Sequence, residues 1–450
     1  MSNASVMNTL SRYVFHPLLD LKEGSGRLRI LRELERTQWM PLPVLLEKQK
    51  QRLAEIVRHA GTTCPYYERL FREQQFDCTD FDIAAFRKLP VLTKADIRAS
   101  TDDLVSREYD RESLGFHKTG GSTGVSLTTY FDKNWLEERT ADSMRANQWA
   151  RWYHGSKLAA IWGNPPTPSS LKGRLRSALL DRMIYLDTMN LNDETMGRFV
   201  ATWRREQPQV LFGHSHSIFI LASYVRDHGI TDLRPDGIVS TSMMLLAHER
   251  AVIEAAFGCK VTDRYGSEEV GLIACECEKH EGYHLNVEYL LVEFLRPDGT
   301  AAPPGEEGTV VVTDLLNRGM PLIRYRVEDV GVPSERACSC GRSLPLMERV
   351  TGRVADYLKR RDGSMVAGVS LVERTLTAIP GLEQMQIVQS AMDELIVNVV
   401  RAPDFAPTAE RALFQEFNSV FGDSVTVRVQ YVERIPQERS GKYRFSICKV

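Results

Sequence analysis

Several features that would place this chain in a simple class are scarce or missing from its 450 residues. No stretch approaches the roughly 20 apolar residues that a membrane span requires, and residues 1–12 lack the apolar core of a signal peptide. The 57 basic and 59 acidic residues nearly cancel, so no overall basic field exists to attract nucleic acid. We therefore expect a cytoplasmic protein with neither a nucleic-acid nor a membrane partner.

Cysteine is scarce as well, because 8 residues in 450 are too few for a disulfide scaffold. Four of them nevertheless form two Cys-x-Cys pairs, which are more typical of metal ligands than of disulfides in a reducing compartment. Thiolates and an imidazole together suit zinc, so we predict a closed, structural Cys₃His site. The predicted ligands are Cys277, His280, Cys338 and Cys340, with Cys275 as a spare thiol.

Two alternatives to this metal site remain open in the sequence. The cysteines could instead be free thiols in loops. A second histidine, His284 in Gly282-Tyr283-His284-Leu285, could be a metal ligand, a residue of the substrate pocket or a histidine at a strand edge. We favour the last two and predict His284 as a substrate-binding residue.

The rest of the composition, 43% hydrophobic and 26% charged, is ordinary for a globular protein. Between residues 158 and 257 apolar runs alternate with helical patterns, which predicts an α/β body with a largely parallel sheet. After about residue 285 the pattern becomes β-rich. A compact α+β pattern closes the chain. We therefore predict an N-terminal body over residues 1–351 and a C-terminal cap over residues 352–450.

Individual elements are predicted from periodicity and end signals. Apolar positions at helical spacing mark a helix over residues 44–60, and Thr93 is the predicted N-cap of a helix with Asp96 in its first turn. Strands are predicted at 158–162, 209–212, 237–240, 289–294, 308–313, 385–389, 394–400 and 425–431, and helices at 221–225, 249–257, 371–379 and 408–421.

The densest local signal is a segment rich in glycine and hydroxyl side chains, residues 118–126. Glycines let a backbone approach a phosphate closely, and exposed N–H groups and hydroxyls then hold it. A P-loop needs a Lys-Ser/Thr pair after its last glycine, and Val125-Ser126 stands there instead, which argues against a Walker-type NTPase. A flexible surface loop is the alternative.

Four further segments contain residues suited to chemistry. Residues 263–271 could stack a base and hold a metal ion, or form a polar turn. Residues 314–331 offer a carboxylate that could grip a ribose diol, or form a solvated charge run. Residues 352–356 follow, and the tail, residues 436–442, ends in a lysine that could reach a distant site or lie in solvent.

In this order the five segments resemble the adenylate-forming ligase superfamily, and within it the phenylacetate–coenzyme A ligase branch, which includes capsular-polysaccharide-type homologues. The resemblance covers roughly residues 45–450. It implies a large α/β body with a β-rich subdomain and a small, mobile C-terminal α+β domain. It lies in Thr119–Gly124 (a phosphate loop), Tyr265–Glu269 (a Tyr-Gly-Ser-Thr-Glu turn), Arg324–Asp329 (a Tyr-Arg-Thr-Gly-Asp strand end), Gly352-Arg353 (a hinge) and Ser440-Gly441-Lys442 (a lysine loop).

The resemblance implies a two-step reaction. A carboxylate attacks the α-phosphorus of ATP, releases pyrophosphate and leaves an acyl-adenylate. A thiol, usually that of coenzyme A, then displaces AMP. Catalysis would consist mainly of positioning and electrostatic stabilisation. Between the steps the small domain would swing about residues 352–356 and carry Lys442 out of the site.

The resemblance also implies roles for particular residues. Lys442 would bridge the attacking carboxylate and the ribose or α-phosphate, Arg326 would also be catalytic, and Glu269 would hold Mg²⁺. Asp329 would bind the ribose hydroxyls, and Tyr265 would stack on adenine. The other expected ATP-binding residues are Thr119, Gly120, Gly121, Ser122, Thr123, Gly124, Ser240, Ser242, Gly266, Ser267 and Arg353. Candidate walls of the acid pocket are Trp162, Phe212, His214, Met243 and Met244.

Three positions depart from the family pattern. Val125 replaces the lysine after the phosphate loop, Glu328 replaces the glycine before the ribose aspartate, and Ala355 replaces an acidic hinge residue. The first change would affect the binding of pyrophosphate, and the last would affect the rotation of the small domain.

The predicted function is ATP-dependent activation of a carboxylic, aryl acid with coenzyme A as the acceptor. A carrier protein such as acyl carrier protein, or an amine, is the alternative acceptor. A non-catalytic nucleotide-binding relative is a third hypothesis, which the retention of Lys442, Glu269 and Asp329 opposes. A homodimer is expected by analogy alone.

Overall fold

The fold is described by a computed structural model. It covers residues 3–119, 127–162, 170–187, 191–353, 357–361, 365–367, 371–372, 375–376, 378–401, 405–422, 425–435, 444 and 446–450. The predicted residues Gly120, Gly121, Ser122, Thr123, Gly124 and Lys442 lie outside these ranges, as do the hinge residues 354–356.

A series of helices precedes the first strand. They are α1 (Asn3–Leu10), α2 (His16–Glu23), α3 (Arg27–Thr37), α4 (Leu42–Thr63), α5 (Pro65–Glu73), α6 (Ile83–Phe86), α7 (Lys94–Ala99) and α8 (Thr101–Leu104). The predicted helix over 44–60 is confirmed as α4. Thr93 caps α7 as predicted, because its hydroxyl accepts the Asp96 N–H at 3.2 Å and the Asp96 carboxylate accepts the Thr93 N–H at 2.9 Å. Within the described ranges, every helix is too short or too polar to cross a membrane.

The early helices are held by hydrogen bonds to much later parts of the chain. Gln49 in α4 donates to the carbonyls of Val287 and Leu290, at 3.0 and 2.8 Å. The Tyr67 hydroxyl in α5 donates to the Pro321 carbonyl and accepts the Ile323 N–H, both at 3.0 Å. Buried apolar residues of α4 and α5 belong to the same core as the later strands, so the N-terminal helices are integral to the body.

The central region alternates strands and helices. Its elements are β1 (Gly115–Thr119), β2 (Leu127–Phe131), α9 (Lys133–Trp149), β3 (Leu158–Trp162), α10 (Leu171–Arg176), β4 (Met183–Asp187), α11 (Asp193–Glu206), β5 (Val210–His214), α12 (Ser215–Asp227), β6 (Gly237–Thr241), α13 (Ala247–Phe257) and β7 (Val261–Ser267). Strands β3 to β7 pair in parallel. The predicted parallel α/β body is confirmed, and its strands are buried runs because helices cover the sheet.

The following strands are antiparallel and extend the same sheet. They are β8 (Gly271–Glu276), β9 (Tyr283–Leu285), β10 (Leu290–Leu295), β11 (Gly308–Asp314), β12 (Tyr325–Pro333) and β13 (Leu346–Arg353). Within the described ranges, eleven strands form one sheet in the order β10-β11-β12-β13-β9-β8-β7-β6-β5-β3-β4. The predicted change to a β-rich pattern after residue 285 is thus the antiparallel half of a mixed sheet.

The C-terminal region is a smaller α+β unit. Its elements are β14 (Tyr357–Lys359), β15 (Met365–Ala367), β16 (Leu382–Ala391), β17 (Glu394–Arg401), α14 (Pro407–Phe421), β18 (Thr426–Tyr431) and β19 (Ser446–Cys448). Four of them form a sheet in the order β18-β17-β16-β19, and its buried side chains form a separate hydrophobic cluster. Leu246 of the body is buried in that cluster, and Met243 and Met244 pack against it. The boundary at residue 352 remains a prediction.

Candidate active site and metal centre

The carboxyl ends of the parallel strands lie along one edge of the sheet. Trp162 ends β3, His214 ends β5, Thr241 ends β6, and Tyr265 follows in β7. The registers place His214 beside Thr241, and Thr241 beside Arg264. Open α/β sheets bind ligands at this edge, so the sheet brings the predicted acid pocket and the predicted adenine-binding turn together.

The turn after β7 contacts the strand that carries the predicted ribose aspartate. The Tyr265 hydroxyl donates to Asp329 Oδ2 at 2.9 Å. Gly266 cannot carry a side chain, because a Cβ there would lie 2.4 Å from the Gly271 carbonyl oxygen. Ser267 Oγ accepts the Val270 N–H at 3.4 Å. Two predicted nucleotide-binding residues are therefore joined directly across the sheet.

Glu269, the predicted Mg²⁺ ligand, is buried at the end of this turn. Its negative charge helps to raise the pKa of Tyr325 in β12. Burial is the main cause of that shift, and the carboxylates of Glu269, Glu328 and Asp329 add to it. Arg326, the next residue, is exposed, and its backbone N–H donates to the Leu92 carbonyl at 2.9 Å.

Two residues next to the turn were missed by the sequence analysis. Arg139 of α9 donates to His117 Nε2 at 2.9 Å, and its guanidinium lies 3.7 Å from the Glu268 carboxylate. His117 lies in β1, two residues before Thr119, so the start of the predicted phosphate loop is beside the turn. Burial and Arg139 lower the pKa of His117, which favours the neutral ring. In the sequence, only the position of His117 two residues before Thr119 links it to the predicted phosphate loop, and that spacing alone does not identify a functional residue.

The predicted acid pocket contains a group of aromatic rings. Trp162 and Phe212 are stacked, with centroids 5.3 Å apart and planes inclined by 12°. The His214 ring lies 4.1 Å from Trp162, and Trp152 lies 5.1 Å from Phe212. Trp162 and Phe212 are half-buried, so this group offers a flat apolar wall near the sheet edge.

The other predicted residues differ in accessibility. Ser240 is fully buried, and its hydroxyl donates to Asp263 at 2.5 Å. Ser242 is half-buried with a positive φ of 68°. Met243 and Met244 pack against the C-terminal cluster, which places them at the junction of body and cap. Backbone pairing sets Arg353 opposite Asp329.

Asp314, the first residue of the charged segment 314–331, is a buried structural residue. Its carboxylate accepts the Trp135 indole N–H at 2.6 Å and the backbone N–H groups of Leu316 and Asn317 at 2.9 and 3.2 Å. It is 1% exposed, so a ribose has no access to it. Asp329 therefore stays the predicted ribose-binding carboxylate of residues 314–331.

Asp314 predicts a pH dependence of stability. Burial raises the pKa of Asp314 from 3.8 to about 6. Because the folded state holds this proton more tightly than the unfolded state, protonation of Asp314 stabilises the fold. This stabilisation is complete below about pH 4 and is lost as the pH rises through about 6. We expect wild type to lose about 1 kcal/mol more unfolding free energy than Asp314→Asn between pH 5 and 7.5, measured by urea denaturation. An equal loss in both proteins would contradict this.

Glu328 stands where the resemblance to the ligase superfamily implies a glycine, and its backbone φ is +71°. This conformation costs a non-glycine residue roughly 1 kcal/mol. Its carboxylate pairs with Lys94 at 2.8 Å, and both side chains are mostly buried. The ion pair therefore offsets the backbone strain and ties α7 to β12.

Two variants of Glu328 separate the contribution of the ion pair from that of the backbone strain. Glu328→Ala loses the ion pair and keeps the strain, so it should lower the unfolding free energy by about 1 kcal/mol. Glu328→Gly loses the ion pair and relieves the strain, so it should stay within about 0.5 kcal/mol of wild type. Urea denaturation of both measures the difference, and equal stabilities would show that no strain is stored there.

The structure brings together three cysteines and a histidine at the other end of β8. Ligand atoms of Cys277, His284, Cys338 and Cys340 all lie within 4.8 Å of one another. The Cys277 and Cys338 sulfurs are 3.6 Å apart, and the Cys340 sulfur is 3.3 Å from His284 Nε2. Tetrahedral zinc with Zn–S bonds of about 2.3 Å separates its sulfurs by about 3.8 Å, so the cluster fits this ion.

The predicted histidine ligand is corrected by this geometry. His284 lies in β9, which pairs with β8 on one side and β13 on the other, and this directs its ring to the cysteines. His280 has a left-handed backbone with φ of +54°, and its Nδ1 lies 3.4 Å from Glu276. His284 is therefore the fourth member of the cluster, which favours the metal-ligand alternative over its predicted role in the substrate pocket. Cys275 is outside the cluster, as predicted.

Neighbouring groups fix the orientation of these ligands. His284 Nδ1 lies 3.1 Å from the Leu344 carbonyl, which leaves Nε2 facing Cys340. The backbone N–H groups of Lys279 and Arg342 donate to the sulfurs of Cys277 and Cys340, both at 3.4 Å. The Arg342 guanidinium also lies 4.9 Å from each of two indole rings, Trp39 and Trp149.

Comparison with known proteins identifies the family to which this chain belongs. The chain is 30% identical over 406 residues to a phenylacetate–coenzyme A ligase of Aromatoleum evansii, covering 85% of this chain and 89% of that protein. The chain belongs to the phenylacetate–coenzyme A ligase family. It is also 24% identical to protein CapK of Staphylococcus aureus, over 90% of each chain, and the CapK C-terminal domain family matches residues 358–449.

A solved coenzyme A ligase structure shares the fold of this chain. 2-Hydroxyisobutyryl-CoA ligase, in its postadenylation state in complex with R3-HIB-AMP, superposes with a TM-score of 0.73 at 20% identity, covering 92% of this chain and 91% of that chain. The predicted family, the adenylate-forming fold and the enzyme class, AMP-forming acid–thiol ligases, are therefore confirmed. The roles of individual site residues remain predictions.

Proposed function

We propose that this protein uses ATP to convert a carboxylic acid to an acyl-adenylate, releasing pyrophosphate, and then transfers the acyl group to the thiol of coenzyme A. The observation that carries the proposal is the Tyr265–Asp329 contact of 2.9 Å, beside the carboxyl edge of the parallel strands. A ring that can stack on adenine and a carboxylate that can bind ribose hydroxyls thus lie together, and the Trp162 and Phe212 rings lie on strands of the same sheet.

The proposed phosphate site combines predicted and newly found groups. Thr119 to Gly124 would donate backbone and hydroxyl hydrogen bonds to the phosphates. Arg139 would supply a positive charge near Thr119, at the start of the loop whose family pattern has a lysine at the position of Val125. Lys442 would stabilise the charge that builds on the α-phosphate as the carboxylate attacks.

Glu269 is the residue we propose for Mg²⁺. A carboxylate oxygen is the ligand type that this cation prefers. Glu269 is buried, and its carboxylate is among the groups that raise the pKa of Tyr325, so the two side chains are neighbours. When bound, the ion would neutralise phosphate charge, and this chain's residues would orient the two reactants.

The acid is proposed to be aromatic. The stacked Trp162 and Phe212 rings offer a flat surface suited to a second planar group. The name of the Aromatoleum evansii relative, phenylacetate–coenzyme A ligase, supports an aryl acid and supports coenzyme A as the acceptor. A carrier-protein thiol or an amine is the alternative acceptor.

The cluster of Cys277, His284, Cys338 and Cys340 is proposed to bind a structural zinc ion. Four protein ligands close the coordination sphere and leave no position for a substrate. The ion would join the end of β8 to the loop before β13, and thereby hold the hairpin that carries Tyr265 and Glu269.

The adenylation half is tested by acid-dependent exchange of labelled pyrophosphate into ATP. We expect exchange with aryl acids such as phenylacetate, at least about 10-fold above short alkyl acids, and loss of this preference in Trp162→Ala. Trp203→Ala, at a buried tryptophan packed against Phe257 and Phe199, is the control for general loss of structure. Absence of exchange with every acid would remove the proposal.

The acceptor is tested separately. Wild type given phenylacetate, ATP and coenzyme A should form a thioester and release AMP. Pyrophosphate exchange without thioester would move the proposal to a carrier protein or an amine, each of which can be supplied in the same assay.

A further inference from the structure

The first helices of the chain turn an apolar side towards the solvent. A π-helical segment, Ser11–Phe15, joins α1 to α2, so residues 3–23 form one helical run. Its solvent side is apolar: Leu21 is 80% exposed and Tyr13 66%. The other exposed apolar residues of this side are Val6, Leu10, Val14 and Leu18. Their spacing of three and four residues places them on one face.

The opposite side of this run faces the protein and carries the polar residues Asn8, Ser11 and Asp20 beside the half-buried Phe15 and Leu19. Ser11 is fully buried, and its hydroxyl donates to the Leu179 carbonyl at 2.7 Å. Asp20 is buried in an ion pair with Arg27, and Asn8 accepts a hydrogen bond from Arg182. These polar contacts fix the rotation of the helix, so the apolar side is held outward. A surface helix ordinarily has the reverse arrangement.

A second helix extends the exposed apolar surface. Leu171 and Leu175 of α10 are 86% and 61% exposed. The π-helical segment that follows α10, Ser177–Asp181, contacts the one that joins α1 to α2, so the two helices are neighbours. We call the exposed apolar residues of the two helices the N-terminal apolar face. Clusters of this kind on soluble proteins mark interaction surfaces.

The charges around this face have one predominant sign. Residues 3–23 and 171–182 contain six basic and three acidic residues, although the whole chain has a net charge of −2. Asp20 and Arg182 are buried, and Glu23 lies 3.5 Å from Arg176, which leaves five basic residues and two acids, Glu23 and the exposed Asp181, along these segments. Lys22 and Lys172 are exposed. A cationic border would repel a second copy of the same face and attract an anionic surface.

We propose that the N-terminal apolar face binds the surface of an anionic lipid bilayer. Exposed leucines, a tyrosine and neighbouring lysines are the combination by which an interfacial helix inserts its apolar side at the level of the headgroups. The helical run would lie in the plane of the surface without crossing it. This inference does not depend on the proposed reaction, and it departs from the expectation, drawn from the lack of a membrane span, of no membrane partner.

The test is co-sedimentation of the full chain with vesicles. One set contains phosphatidylglycerol mixed with phosphatidylcholine, and the other contains phosphatidylcholine alone. Leu18→Glu/Leu21→Glu is compared with Leu46→Glu/Ile83→Glu, which places the same charges at exposed apolar positions of α4 and α6. Thermal denaturation and size-exclusion light scattering check folding and oligomeric state.

We expect binding to anionic vesicles that is at least about 10-fold stronger than to neutral ones and weakens with added salt. Leu18→Glu/Leu21→Glu should lose at least about 10-fold of it, while Leu46→Glu/Ile83→Glu keeps it. Absence of binding, equal binding to both vesicle types or equal loss in both variants would overturn the proposal. So would a dimer that Leu18→Glu/Leu21→Glu dissociates without any vesicle binding, which would show that a second copy covers the face.

Discussion

His284→Ala is expected to abolish zinc binding and to lower the unfolding free energy by about 4 kcal/mol. A structural zinc site contributes its binding energy to folding, and three thiols without the imidazole cannot complete a tetrahedral shell with protein ligands. The measurements are the metal content of the purified protein, with one zinc per chain expected in wild type, and its urea denaturation.

His280→Ala is the matched control for this experiment. His280 lies only four residues from His284, but its ring contacts Glu276 and not the cysteines. The variant should keep its zinc and lose less than about 1 kcal/mol. Loss of zinc in His280→Ala with retention in His284→Ala would restore the ligand set expected from the sequence, and a metal-free wild type would eliminate the zinc site.

Lys442→Ala is expected to lower acid-dependent pyrophosphate exchange by about 10²- to 10³-fold. The first half-reaction builds negative charge on phosphoryl oxygens, and removing one preorganised donor from such a site costs about this much. The second half-reaction would not use this lysine. Thioester formation from supplied phenylacetyl-adenylate should therefore stay within a few-fold of wild type, which also shows that the variant is folded.

Lys449→Ala serves as the control for Lys442→Ala. Lys449 belongs to the same C-terminal segment and is exposed, with its backbone N–H donating to the Gln389 carbonyl at 3.0 Å. Its exchange rate should remain within about twofold of wild type, because a solvated side chain contributes little. Full exchange in Lys442→Ala would reject the role that the family resemblance implies for it.

Patterns with a strong period gave the most reliable predictions from the sequence. The apolar runs at 158–162 and 237–240 correspond to β3 and β6, because buried parallel strands admit few polar residues. The capping box at Thr93 was equally local and was confirmed. Such features depend on residues that are neighbours in the chain.

The sequence was least informative about residues whose partners are distant in the chain. Asp314 looks like a solvated carboxylate until Trp135 is placed beside it by the fold. Arg324 belongs to a charged segment, yet it is buried and its guanidinium lies 3.1 Å from Glu293. The choice between His280 and His284 depended on the pairing of β9 with β13, which no local spacing reports.

The hydrogen bonds of α4 and α5 to residues 287–323 have a consequence for synthesis on the ribosome. Their partners lie 238 to 256 residues further along the chain. At 5–20 residues per second, roughly 12 to 50 s pass before those partners emerge. During that interval the apolar side of α4, including Leu45, Leu53, Ile56 and Val57, has no completed core to cover it. The nascent chain is therefore the state of this protein most exposed to aggregation and most dependent on chaperones.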